Sequence, residues 1–146
     1  MEIKDLLSPA DVMVDVEASD KARLLKDLST RAGSALKLKA DIITAEISNR
    51  EMLGSTGIGG GVAIPHARIS DLKTPFGVLA RLRKPIEFEA IDGQPVDLVF
   101  LLLLPGGRES DQLNALACVA RKLRDPDALR ALRLASRGSE VYTAIA

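Results

Sequence analysis

The sequence predicts an α/β fold: a single-domain sandwich spanning residues 1–146, with a mixed β-sheet flanked by helices on both faces. Three observations carry that expectation. Segments with the two-residue alternation of strands interleave with segments that have the wider apolar spacing of helices. One run, Val96 to Leu104 (VDLVFLLLL), is almost continuously apolar and bounded by Pro95 and Pro105, as a central strand covered on both faces should be. The chain has 146 residues, 47% hydrophobic and 27% charged, with no linker, repeat or low-complexity segment. That is the size and composition of one domain able to bury a substantial core.

The elements follow in order. Val12, Val14 and Val16 alternate with Met13 and Asp15, the pattern of a half-buried strand. Ser19 is placed to cap a helix whose apolar positions include Ala22, Leu25, Leu28 and Ala32, with Gly33 and Ser34 ending it. A second helix is expected from Asp41 to Leu53, with Ile43 and Ile47 one turn apart, and Gly54 stops it. A glycine-rich loop and a short strand lead into His66. Phe76, Val78, Ala80 and Leu82 alternate with Gly77, Leu79 and Arg81, a strand with one drier face. Ile86 and Phe88 suggest a short extended piece, and Asp92-Gly93 a turn. After the central strand, Gly106-Gly107 break the chain. Leu113, Leu116, Ala117, Ala120 and Leu123 then trace a helical stripe. Asp125-Pro126 opens another helix by cap and first-turn proline, with Leu129 and Leu132 on it, and a last helix covers Ser139 to Ala146.

Composition removes several function classes. Lys+Arg and Asp+Glu are both 20, and aromatics make up 3% with no tryptophan. Neither a strong basic field nor a base-stacking platform is available, so no nucleic-acid partner is expected. Cys118 is the only cysteine, which fits a reducing cytoplasm, and its neighbours Ala117, Val119 and Ala120 mark it as a small apolar filler. No secretory signal is visible at the N-terminus. The longest apolar run, Leu98 to Leu104, is too short to span a bilayer, so no membrane insertion is expected.

One motif stands apart. From Gly54 to Arg68 the chain reads GSTGIGGGVAIPHAR and ends close to the sole histidine, His66. Pro65 fixes φ beside His66 and biases Ile64 toward extended backbone, so the imidazole leaves the end of a short strand in a restrained direction. A P-loop is excluded because no Lys-Ser/Thr pair follows the glycines. A dinucleotide fingerprint fails because no glycine occupies its last position, and both motifs lead into a helix rather than a strand. One His and one Cys supply no metal cluster, and no cofactor is implied. A Cys118–His66 nucleophilic pair is conceivable, but Cys118 lies in an apolar helical stretch. Glu87, Glu89 and Asp92 read as a solvated loop face rather than paired catalytic acids.

What remains is histidine as a phosphoryl acceptor. A neutral imidazole nitrogen is nucleophilic near pH 7. The backbone N–H groups from Gly57 through Ile58, Gly59 and Gly60 to Gly61 are candidate donors to phosphate oxygens. Arg50 is a candidate charged fork, compatible with its favourable position at a helix C-terminus.

These residues resemble a known family. The run from Arg50 through GSTGIGGGVAIPHA, and the later IEFEAIDGQPVDLVFLLLLP (Ile86 to Pro105), resemble the IIA component of the bacterial phosphoenolpyruvate-dependent phosphotransferase system, fructose/mannitol type, above all its nitrogen-regulatory member. The resemblance covers essentially the whole chain. It implies that His66 is phosphorylated, that Arg50 is the active-site arginine, and that the fold is a mixed sheet flanked by helices.

The sequence departs from the family at one position. Such proteins commonly carry a second active-site histidine where this chain has Gln112 in DQLNAL, with Asn114 a near alternative. Glutamine can donate a hydrogen bond but cannot carry charge. Gln112 is expected near His66, offering a neutral hydrogen bond to the phosphate or the imidazole.

The expected function is that of a free-standing cytoplasmic phosphocarrier, a phosphohistidine phosphotransferase charged by an HPr-like phosphocarrier protein. Its regulatory target would be a kinase, channel or transcription regulator. Two alternatives stand beside it: a non-catalytic regulatory binding module, and a sugar-specific IIA passing phosphate to a separate IIB protein.

Overall fold

The computed structural model describes all 146 residues, Met1–Ala146. Six strands form one sheet: β1 (Val12–Val16), β2 (Gly57–Gly59), β3 (Val62–Ala63), β4 (His66–Arg68), β5 (Phe76–Ile86) and β6 (Val96–Leu104). The α-helices are α1 (Lys21–Leu36), α2 (Ala40–Met52), α3 (Glu109–Leu123), α4 (Pro126–Leu134) and α5 (Gly138–Ile145). The strands lie in the order β1-β5-β6-β3-β2, with β4 also paired to β6. β1 runs parallel to β5, β3 and β4 run parallel to β6, and the β5–β6 and β2–β3 pairs are antiparallel. The sheet is therefore mixed, as the sequence predicts.

Strand β6 explains the two-faced core. Val99, Leu101 and Leu103 pack with Leu24, Leu28, Ile43 and Ile47 of α1 and α2. Leu98, Phe100 and Leu102 pack with residues of α3, α4 and α5 such as Val119, Leu132 and Val141. Alternate side chains of a strand point to opposite faces, so a strand buried on both must be apolar at nearly every position. β5 is also covered on both faces, contrary to the expected single dry one: Val78, Leu79 and Ala80 are all fully buried. Its length absorbs the separate extended piece expected at Ile86.

Other boundaries moved for identifiable reasons. The alternation of β1 breaks at Asp15, whose φ of 54° shifts the pairing register to β5. Val12 and Val14 then face one core, whereas Met13 and Val16 face the other. The cap of α1 is Asp20, not Ser19; its carboxylate accepts from Arg23 N at 2.8 Å. The helix passes through Gly33 and ends at Leu36, with Lys37 left-handed at φ 57°. A Cβ at Gly33 would lie 2.8 Å from the Leu38 carbonyl oxygen and 3.2 Å from Ala40 N. That glycine therefore permits close approach of the α1–α2 connection rather than termination. The buried stripe of α3 is Gln112, Ala115, Val119 and Leu123; of the predicted positions Leu123 is buried, Leu116 and Ala120 pack against the core, and Leu113 is 58% exposed.

Candidate functional site

His66 opens β4 rather than closing a strand. Pro65 has no N–H to extend the ladder, so β3 stops at Ala63 and pairing with β6 resumes at His66, opposite Leu102. The Pro65 carbonyl accepts from Leu102 N at 2.8 Å, which fixes the backbone just before the histidine.

The ring is equally fixed. Nδ1 lies 2.8 Å from the Ile64 carbonyl oxygen, an acceptor only, so Nδ1 carries the proton and donates it. The lone pair then resides on Nε2. Burial holds the imidazole below its ordinary value of 6.5. The Arg50 charge pushes the same way, while the bond to Ile64 and the Glu51 carboxylate oppose it. The result is a neutral, half-buried imidazole at pH 7 with one nucleophilic nitrogen.

His66 borders a cleft of about 420 Å³ that also takes in Arg50, Arg68, Gln112, Leu113 and Leu116. Arg50 reaches it from the last turn of α2, where Nη1 donates to the Gly54 carbonyl at 2.9 Å. The next residue, Glu51, anchors that turn. Its carboxylate is 6% exposed, pairs with Lys21 Nζ at 2.8 Å, and accepts from both Thr56 N at 3.2 Å and the Thr56 hydroxyl. Lys21 also sits 4.5 Å over the Phe88 ring. The end of α2 is thus tied to the start of α1 and to the approach to β2. Leu53 is 85% exposed and, with Leu113, gives the cleft an apolar rim.

Gln112 lies in this cleft, on the first turn of α3. Its side chain is buried, with Nε2 donating to the Pro105 carbonyl at 3.1 Å and Oε1 accepting from Arg68 Nε at 2.8 Å. Neither bond goes to the imidazole. Asn114 is exposed and borders a neighbouring cleft instead. Arg68 is the residue that sequence reading missed. Its signal was position: two residues past His66 on an extended segment, hence on the same face of β4.

The glycine segment lies away from this cleft. Gly57–Gly59 form β2, which turns at Gly60 and Gly61 into β3. This hairpin meets β6 at Leu98 and Val99, three to four residues from the His66 partner Leu102, or about 10–13 Å along a strand. Gly57, Ile58, Gly59, Gly60 and Gly61 are not among the residues of the His66 cleft. Two of their five N–H groups and one carbonyl are held by side chains. Gly57 N donates to Ser55 Oγ and Gly60 N to Asp92 Oδ2, while the Gly60 carbonyl accepts from Arg133 Nη2. Two carboxylates, Asp92 and Asp97, stand there, the wrong charge for a phosphate cradle. Cys118 is likewise outside the cleft, so no Cys–His pair forms.

Comparison with known proteins places this geometry in context. Residues 5–146 match the family model described as phosphoenolpyruvate-dependent sugar phosphotransferase system, EIIA 2. A nitrogen regulatory protein from Bradyrhizobium diazoefficiens is 41% identical over 146 residues, covering 100% of this chain and 95% of its own length. One from Escherichia coli is 38% identical, covering 99% of this chain and 90% of the relative. The crystal structure of nitrogen regulatory protein IIA-Ntr from Neisseria meningitidis superposes with a TM-score of 0.93 at 33% identity, covering 99% of each chain. The Escherichia coli IIA mannitol structure shares the fold, with a TM-score of 0.77 at 17% identity over 95% of this chain and 98% of that one.

Proposed function

The chain belongs to the phosphoenolpyruvate-dependent sugar phosphotransferase system EIIA 2 family, and from that premise we propose that His66 is its phosphoryl acceptor. Phosphocarrier chemistry is the family's; the residues that perform it here are our reading. The observation that carries the reading is the fixed tautomer of His66, with Nδ1–H held by Ile64 and a free Nε2 beside Arg50.

The step balances without a general base. The Nε2 lone pair attacks phosphorus on a phosphohistidine donor, the donor's P–N bond breaks, and its electron pair returns to the donor imidazole. His66 keeps its Nδ1 proton on Ile64 throughout. Its ring then carries a positive charge beside the phosphoryl group, which keeps the group transferable onward. Arg50 offers a planar guanidinium to the phosphoryl oxygens as they pass.

The partner that fits is a phosphohistidine carrier related to HPr, docking on the apolar rim formed by Leu53 and Leu113. The names of the relatives support a nitrogen-regulatory role; its target, in our reading, is a kinase, channel or transcription regulator. No helix is long and apolar enough to cross a membrane. We place the protein in the cytoplasm, where such a carrier operates, and read it as a phosphohistidine phosphotransferase working as one domain.

The test is direct. With phosphoenolpyruvate, enzyme I and the HPr-type carrier, the wild type should take up one acid-labile, base-stable phosphate, and His66→Ala should take up none. Label persisting in His66→Ala excludes His66 as the sole acceptor. A wild type that binds the carrier without labelling is a binding module.

A further inference from the structure

Among the charged side chains of the His66 cleft, Arg68 is held by a neutral amide and not by a carboxylate. Arg68 has no carboxylate within ion-pair distance, although eight such pairs occur elsewhere in the molecule. Its sole side-chain bond runs from Nε to Gln112 Oε1, at 2.8 Å. The amide of Gln112 cannot be turned around: Nε2 must face the Pro105 carbonyl at 3.1 Å, which aims Oε1 at the arginine. A buried, doubly bonded amide therefore fixes the direction of an exposed guanidinium. A glutamate at position 112 would hold Arg68 as well, but it would cancel the charge. Glutamine holds the arginine without pairing its charge and leaves both terminal nitrogens without a hydrogen-bond partner in the cleft that contains His66, where Glu46 and Glu109 also line the wall but stand beyond ion-pair distance of it.

We infer that Arg68 binds the phosphoryl group carried by His66, and that Gln112 is the positioning residue that aims it. This rests on the reading of His66 as acceptor. The two arginines of the cleft then divide the work. Arg50, on α2, is close enough for its charge to act on the imidazole. Arg68 enters from β4, on the same strand face as His66, with its Nη1 and Nη2 donors free for two phosphoryl oxygens. Charge that the glutamine at position 112 cannot supply is thus delivered through it.

The experiment uses the intact protein phosphorylated chemically with phosphoramidate, so that no protein donor is needed. The readout is the phosphorus NMR titration of phospho-His66 in wild type, Arg68→Met, Arg68→Lys and Gln112→Met, with thermal midpoints measured alongside. A bound guanidinium favours the phosphoryl dianion. Arg68→Met should therefore raise the midpoint of the monoanion–dianion transition by about one pH unit, a tenfold change in that equilibrium. Arg68→Lys should fall between, because a point charge replaces the fork. Gln112→Met should move the midpoint in the same direction as Arg68→Met while both charged residues remain. Coincident titrations for wild type and Arg68→Met overturn the inference. So does a Gln112→Met variant that loses thermal stability with an unmoved titration, since that is a structural contact alone. If a phosphohistidine carrier fails to charge the wild type while the Arg68 shift persists with phosphoramidate, the donor assignment falls and the Arg68 contact stands. If phosphoramidate leaves His66 unmodified, both fall.

Discussion

At the end of β6 near Leu98, the glycine hairpin, Asp92, Asp97 and Arg133 satisfy one another. Arg133 bonds Asp97 through Nε at 3.1 Å and Nη2 at 2.9 Å and also reaches the Gly60 carbonyl, and Asp92 closes on Gly60 N. At the other end, past Leu102, polar groups are positioned but left unspent: Nε2 of His66 is free, and Arg68 has no carboxylate within ion-pair distance. Arginine serves both ends in opposite ways. Arg133 is a bidentate brace whose charge is consumed, whereas Arg68 is restrained by a neutral amide and keeps its charge. Satisfied polar clusters stabilise, and pre-aimed unsatisfied ones bind.

That contrast yields paired expectations. The largest concerns Gly61, whose φ is +79° and where a Cβ would lie 2.6 Å from Arg133 Nη2 and 2.9 Å from Asp97 Oδ1. Gly61→Ala should cost about 1–3 kcal/mol through backbone strain and displacement of that brace. For a domain of this size that lowers the thermal midpoint by roughly 2–4 °C per kcal/mol. The folded variant should accept phosphate at the wild-type rate. A collapse in rate with an unchanged midpoint would return the hairpin to the active site and break the comparison.

Arg50→Lys should show the mirror image. Replacing the planar fork by a point charge is expected to slow phosphoryl acceptance by about tenfold, equivalent to 1.4 kcal/mol. The thermal midpoint should barely move, since the exchange keeps a positive charge at the C-terminus of α2. Stopped or quenched labelling time courses, measured with thermal melts, separate the two variants. An Arg50→Lys protein that melts early yet transfers normally assigns Arg50 to the scaffold.

The smallest effect is in pH. His66 titrates below 6.5 in the folded chain, mainly through burial. Between that lowered value and 6.5 the unfolded chain binds more protons, so stability is lost as pH falls through this window. His66→Gln should remove that part of the dependence. Phosphoryl acceptance should hold down to pH 6.5 and decline only below it, as Nε2 becomes protonated. The hairpin end responds elsewhere. Backbone donation from Gln94 and Gly60 lowers the Asp92 carboxyl below its usual 3.8, so its contribution is present above that pH and lost as pH falls below it. A rate profile with its midpoint above 6.5 would contradict the buried, neutral imidazole.

Much of this protein was legible without a structure. The apolar run Val96 to Leu104 announced a doubly covered strand because burial on both faces leaves no polar positions in the pattern. The Asp125-Pro126 start of α4 was equally plain, since a cap and a first-turn proline are local features. His66 and Arg50 stood out by chemical type and local context, and Gln112 by departure from a resemblance. All three do share the cleft. Misreadings came where a local signal has two physical causes. Gly33 serves close packing and not helix ending. The glycines from Gly57 to Gly61 build a tight hairpin outside the His66 cleft. Leu113 belongs to the rim of the cleft and not to the buried stripe of α3.

The sheet-and-helix composition, the sole histidine and the residue types around it could be read from the chain alone, because periodicity, caps and chemical identity are written locally. Which end of β6 keeps unspent donors and acceptors was settled by the fold. That choice depends on where hydrogen bonds between distant segments are used up: Asp92 and Arg133 reach the hairpin across 32 and 73 residues, and Arg68 meets Gln112 across 44. Local patterns hold the donors and acceptors. The satisfaction of each is a long-range property, set by the register in which β3 and β4 lie on β6.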